Sequence, residues 1–141
     1  MFHAALASTA PYLLTKSGLR SMMKEARETN AQCGVTGLLL YSEGSFLQVL
    51  EGERDEVIKL VNRLREDPRH QDFRILLNGE TAHRLFQDWL MAFRDLTDGS
   101  LSRTPGFSDF LNTPYSGAEF TGNPAPCLRL LLSFKKNVQR V

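Results

Sequence analysis

The chain has 141 residues, of which 42% are hydrophobic and 23% charged, and its formal net charge is +1. That length and balance suit one soluble domain with a core of its own and argue against disorder. No strongly basic face is implied, so nucleic acid is not an expected partner. The apolar runs are far too short to span a membrane, and MFHAALASTAPYLL lacks the basic start of a secretory leader, so a cytoplasmic protein is expected.

Phe2–Ser8 reads as a short apolar strand, broken by Ala10-Pro11. Ser17 to Asn30 reads as a helix, because Leu19, Met22, Met23 and Ala26 repeat with helical spacing while Lys24, Glu25, Arg27 and Glu28 take the other face. Val35–Tyr41 is a continuous apolar run, as in a buried central strand. Ser42-Glu43-Gly44-Ser45 turns the chain, and Phe46–Leu50 returns, which makes a hairpin. A second helix follows, with Val57, Leu60, Val61 and Leu64 on one face, stopped at Asp67-Pro68. Phe73–Leu77 reads as a fourth strand and Trp89–Phe93 as a fifth.

The order β-α-β-β-α-β predicts an α+β, ferredoxin-like sheet with an extra strand and both helices on one face. Residues 1–96 form the expected domain. The segment 97–141 changes texture: it is rich in Gly, Ser, Thr, Pro and Asn as far as Gly122, and Pro126–Val138 then reads as a helix. This helical extension is expected to cover the free face of the sheet or to meet another subunit.

Two polar residues fall where apolar ones belong. Alternation places Gln48 on one face with Phe46 and Leu50, and a buried amide needs hydrogen-bond partners. It can equally point outward or bond nearby backbone. Asn30, at the expected end of the first helix, can serve as a cap. Trp89 and Met91 share a strand face with Phe93 and read as core. There is no GxSxG, HExxH, P-loop or GxGxxG, and His3, His70 and His83 have no nucleophile beside them. Cys33 and Cys127 do not form a metal-binding pattern. An enzyme is therefore not expected, and a small hydrolase on this fold lacks a phosphate-binding loop.

Four separated blocks carry a family resemblance: Asn30, then GVTGLLLYSEGSFLQVLEG at Gly34–Gly52, then DPRH at Asp67–His70, then FQDWLMAF at Phe86–Phe93. In order and spacing they resemble the BLUF domain, over roughly Phe2 to Leu96. The resemblance implies FAD as cofactor, held between the two helices and one sheet face. It places Asn30 at the flavin carbonyl edge, Gln48 beside the flavin N5 and O4, Arg69 and His70 near the phosphate and ring edge, and Met22 and Ala26 in the pocket wall. It makes Trp89 and Met91 the strand that relays a change at Gln48. The implied activity is blue-light sensing, with output to a protein partner and an expected homo-oligomer.

One position departs from that pattern. The family's first strand carries Tyr-x-Ser, and the register puts Leu6 at the Tyr while Ser8 is retained. Leucine has no proton to give and no accessible oxidation. Leu6 suits a pocket wall, so FAD binding is compatible with it, but the implied photocycle lacks its donor and is expected to be impaired or altered. Tyr12, Tyr41 and Tyr115 are not obvious replacements, while Trp89 is a candidate alternative donor. The alternative reading is a light-independent interaction module that keeps the fold.

Overall fold

In the computed structural model the described residues are 1–42, 44–84 and, for the backbone, 92–95. Trp89, Met91, Tyr115, Cys127, the extension 97–141 and its expected helix lie outside them. The elements run β1 (Phe2–Thr9), α1 (Lys16–Cys33), β2 (Thr36–Ser42), β3 (Ser45–Gly52), α2 (Arg54–Glu66), β4 (Gln71–Glu80) and β5 (Ala92–Asp95). The sheet order is β4-β1-β3-β2-β5. β1 pairs antiparallel with β3 and β4, β2 antiparallel with β3, and β5 parallel with β2. This is the expected ferredoxin-like arrangement with a strand added at one edge.

Both helices pack on the same sheet face. Leu19, Met22 and Met23 of α1 and Val57, Leu60 and Val61 of α2 join Phe2, Ala4, Leu6, Leu39, Tyr41, Phe46 and Leu50 in one core. The period of two along each strand and of 3.6 along each helix selects this set. The alternate residues on the other sheet face, Ala5, Ala7, Leu38, Leu40, Leu47 and Val49, are buried as well. Gly37 of β2 lies so close to β3 that a Cβ there would collide with the Val49 carbonyl oxygen.

The ends of α1 differ from the sequence reading, for physical reasons. The helix begins at Lys16 because the Thr15 hydroxyl accepts the Gly18 N–H at 3.0 Å. It runs one turn past Asn30 and stops at Gly34, which adopts the left-handed conformation (φ 68°). The Gly34 and Val35 N–H groups both close on the Asn30 carbonyl, the latter at 2.9 Å. Gly34, not Asn30, is therefore the terminator.

β4 is longer than its apolar stretch, and its ladder to β1 shifts register twice, between Ala5 and Leu6 and between Ala7 and Thr9. Asp72 sits within the second irregularity with φ 49°, a conformation Asp tolerates better than most residues. Beyond β4, Arg84 returns to the far side of the hairpin. Its guanidinium donates to the Gly34 carbonyl (2.6 Å), the Thr36 hydroxyl (2.9 Å) and the Glu51 carbonyl (3.2 Å).

Candidate functional site

A cavity of about 350 Å³ opens between α1, α2 and the sheet, within the usual range for small-ligand sites. Its floor comes from β2 and β3 as Leu39, Gln48 and Leu50, all nearly fully buried. α1 contributes Met22, Glu25, Ala26, Thr29 and Asn30, a face that repeats every three or four residues. α2 contributes Leu60, Arg63, Leu64 and Glu66, and the following turn adds Asp67, Arg69 and His70. Six residues singled out from the sequence, Met22, Ala26, Asn30, Gln48, Arg69 and His70, thus line one space.

Strand register explains the position of Gln48. It lies opposite Leu6 on β1 and opposite Leu39 on β2; Leu39 lines the cavity, while Leu6, expected in its wall, is buried in the core beside it and is not a lining residue. Gln48 is only 4% exposed, and among the described residues none hydrogen-bonds its side-chain amide. An amide with two donors and an acceptor on the cavity lining can bond a ligand placed there. Leu6, equally buried, adds no polar atom beside it.

The turn Asp67–His70 is folded by Asp67. Its carboxylate accepts the Arg69 backbone N–H at 2.9 Å, and its carbonyl accepts the His70 N–H at 2.9 Å. This brings the His70 ring beneath the cavity, tilted against Phe46 at a centroid distance of 5.0 Å. His70 Nδ1 lies 2.9 Å from the Ser8 hydroxyl. The sequence singled out both residues but not the bond between them. The second β1–β4 register shift falls at Ser8, and irregularities of that kind re-aim side chains beside sites. Burial holds the His70 pKa below the ordinary histidine value, Asp67 opposes that shift and Arg69 adds to it.

The rim is charged. Arg69 donates through Nε and NH2 to Asp67, at 2.7 to 3.1 Å, and through NH1 and NH2 to Glu25 at 3.0 and 3.3 Å. Hydrogen bonding to Arg69 holds both carboxyls below their usual range and raises the pKa of Arg69 itself. Sequence reasoning missed Glu25 and Arg63 here. The helical spacing puts Glu25 on the face away from Met22, but it lies at the border of the two faces and reaches the cavity mouth with Met22 and Ala26.

Tyr12 and Tyr41, the tyrosines among the described residues, stay off the cavity lining. Tyr12 is 65% exposed, while Tyr41 is buried against Phe46 and its hydroxyl accepts the Leu14 N–H at 3.2 Å. Among the described residues no helix is long and apolar enough to cross a membrane.

A slot floored by apolar side chains and one amide, with arginines and carboxylates together at its mouth, suits a flat heteroaromatic ligand with a polar edge. Fold and cavity together define an α+β ligand-binding module. Residues 1–92 match the family model BLUF, sensors of blue-light using FAD, and the chain belongs to this family, whose cofactor is FAD. The chain is 33% identical over 106 residues to photoactivated adenylate cyclase subunit beta of Euglena gracilis, a match spanning 74% of this chain and 12% of that protein. It thus corresponds to a small part of that relative. The dark-state structure of the BLUF protein BlrB superposes with a TM-score of 0.71 at 25% identity, covering 92% of this chain and 95% of that one. A bacterial light-regulated adenylyl cyclase also gives 0.71, at 27% identity, over 78% of this chain and 32% of that one.

Proposed function

We propose that this chain is a blue-light receptor module that holds FAD in the cavity between α1 and α2, and that its response is altered at Leu6. The observation carrying the reading is the Gln48 amide, buried on the cavity floor with no bond from the described residues. Met22, Ala26, Leu39 and Leu50 would grip the ring system, Asn30, Gln48 and His70 would meet its polar edge, and Arg69 would face the tail. When bound, the flavin supplies light absorption and electron-accepting chemistry.

The protein's part is to orient and to relay. By rotating about its last side-chain bond, Gln48 presents either its N–H₂ or its carbonyl to the same spot. A phenol at position 6 would favour one of those orientations by hydrogen bonding. Leu6 favours neither, so the amide is less constrained and the donor of an electron and proton is missing. A change at Gln48 passes along β3 to its neighbours, and the relay role of Trp89 and Met91, which lie outside the described residues, belongs to this proposal. Output would go to a protein partner or through assembly of further copies, as the cyclase-bearing relatives suggest by analogy.

Leu6 also supports a second reading, a module that keeps FAD and fold but does not respond to light. One experiment separates the two. Purified protein should be yellow, and colourless protein that fails to take up added FAD overturns both. A reversible red shift on blue illumination supports the receptor. No shift in the wild type, with a shift restored by Leu6→Tyr, supports the light-independent reading and confirms the register.

A further inference from the structure

The cavity's charged rim suggests a control on which ligand tail it accepts. This inference rests on the flavin reading above. The lining residues at the mouth include two cations, Arg63 and Arg69, and three carboxylates, Glu25, Glu66 and Asp67. Arg69, the cation best placed for an anionic tail, already has both edges of its guanidinium occupied by carboxylates. An incoming phosphate therefore meets a saturated arginine and a rim with an excess of negative charge.

The two carboxylates holding Arg69 are not equally fixed. The Asp67 side chain is 18% exposed, and it also accepts the Arg69 backbone N–H, so releasing it would unmake the turn that seats His70. The Glu25 side chain is 62% exposed on the flank of α1, and Arg69 is its ion-pair partner. Exposed pairs of that kind are weak and screened by salt. Glu25 is the partner that gives way.

We propose that Glu25 is a competing counter-ion that sets the cavity's preference among flavin tails. It occupies Arg69 when no phosphate is present and penalises phosphorylated flavins relative to riboflavin, whose tail is neutral. Because a carboxylate and a phosphate compete for one guanidinium, removing the carboxylate charge should help FMN and FAD selectively. A change that merely loosened the helix would alter all three flavins alike.

The test uses the flavin-stripped 141-residue chain titrated with riboflavin, FMN and FAD, followed by quenching of flavin fluorescence. In Glu25→Gln the ratio of FMN to riboflavin affinity should rise about three- to fivefold at low salt, and the gain should shrink in high salt. Glu28→Gln removes an exposed α1 carboxylate outside the cavity lining and controls for net charge, and there the ratio should stay unchanged. An unmoved or lowered ratio in Glu25→Gln overturns the proposal, as does an equal rise in Glu28→Gln. Riboflavin binding with an unmoved ratio leaves the flavin site standing, whereas a wild type that takes up none of the three overturns the site as well.

Discussion

Strand β3 is buried along its whole length, yet its two faces are buried differently. Toward the helices it shows Phe46, Gln48 and Leu50, and the packing there leaves a cavity with an open amide on its floor. Away from them it shows Leu47 and Val49, beside Ala5, Ala7, Leu38 and Leu40, none more than 2% exposed. The closed face gains stability from every atom it buries. The other face turns an amide that no described residue bonds toward a cavity, and a polar group set among core residues in this way is the ordinary signature of a site. Burial alone does not separate structural from functional residues on this strand, whereas hydrogen-bond satisfaction does.

Four substitutions or conditions test that contrast. The largest effect is expected from Gly37→Ala, which would press a methyl group into the Val49 carbonyl and disturb both faces at once. A loss on the order of 4 kcal/mol or more is expected, read from the urea midpoint or as failure to accumulate folded protein. Leu47→Ala, on the closed face, should cost about 2–5 kcal/mol. FAD affinity per folded molecule should be unchanged, and a parallel loss of affinity would show that the faces are not independent.

Gln48→Leu should have the opposite sign. Replacing an amide that no described residue bonds should leave the flavin-free protein unchanged or more stable by about 1 kcal/mol, while FAD affinity falls. Destabilisation without FAD would mean that the Gln48 amide is already satisfied.

The smallest effect is a pH dependence at His70. Burial lowers its pKa, so the unfolded chain takes up the proton first. The contribution to stability is full above the ordinary histidine value near 6.5 and is lost as pH falls below it toward the folded value. Urea midpoints of flavin-free protein between pH 7.5 and 5.5 should decline, and His70→Gln should flatten that decline. Asp67 acts separately. Its pKa is lowered by Arg69, so its contribution is present above the ordinary value of 3.8 and is lost only as pH falls through the lower folded value.

The sequence made the fold legible where pattern and chemistry agreed. The unbroken run Val35–Tyr41, the glycine at the hairpin and the helical spacing of Leu19, Met22 and Met23 each admit one conformation. Element ends were less readable. α1 outran Asn30 because the terminator is the left-handed glycine four residues on, and β4 outran its apolar stretch because ladder bonds continue through polar residues. In the site, Gln48 was visible as an interruption of period two. The pairing of Ser8 with His70 was not, since it depends on register shifts between strands distant in sequence. The clasp of Arg69 by Glu25 and Asp67 joins a helix to a remote turn, and no local pattern announces it.

Arg84 gives the cavity a mechanical neighbour. One planar group is pinned at once to the residue that ends α1, to the start of β2 and to the end of β3. Asn30 rides on the last turn of that helix, and Gln48 lies three residues before Glu51 on that strand. The exit from β4 is therefore fastened by a single guanidinium to both elements that carry the polar floor, so the polypeptide leaving the sheet starts from a point set by the same backbone that sets Asn30 and Gln48.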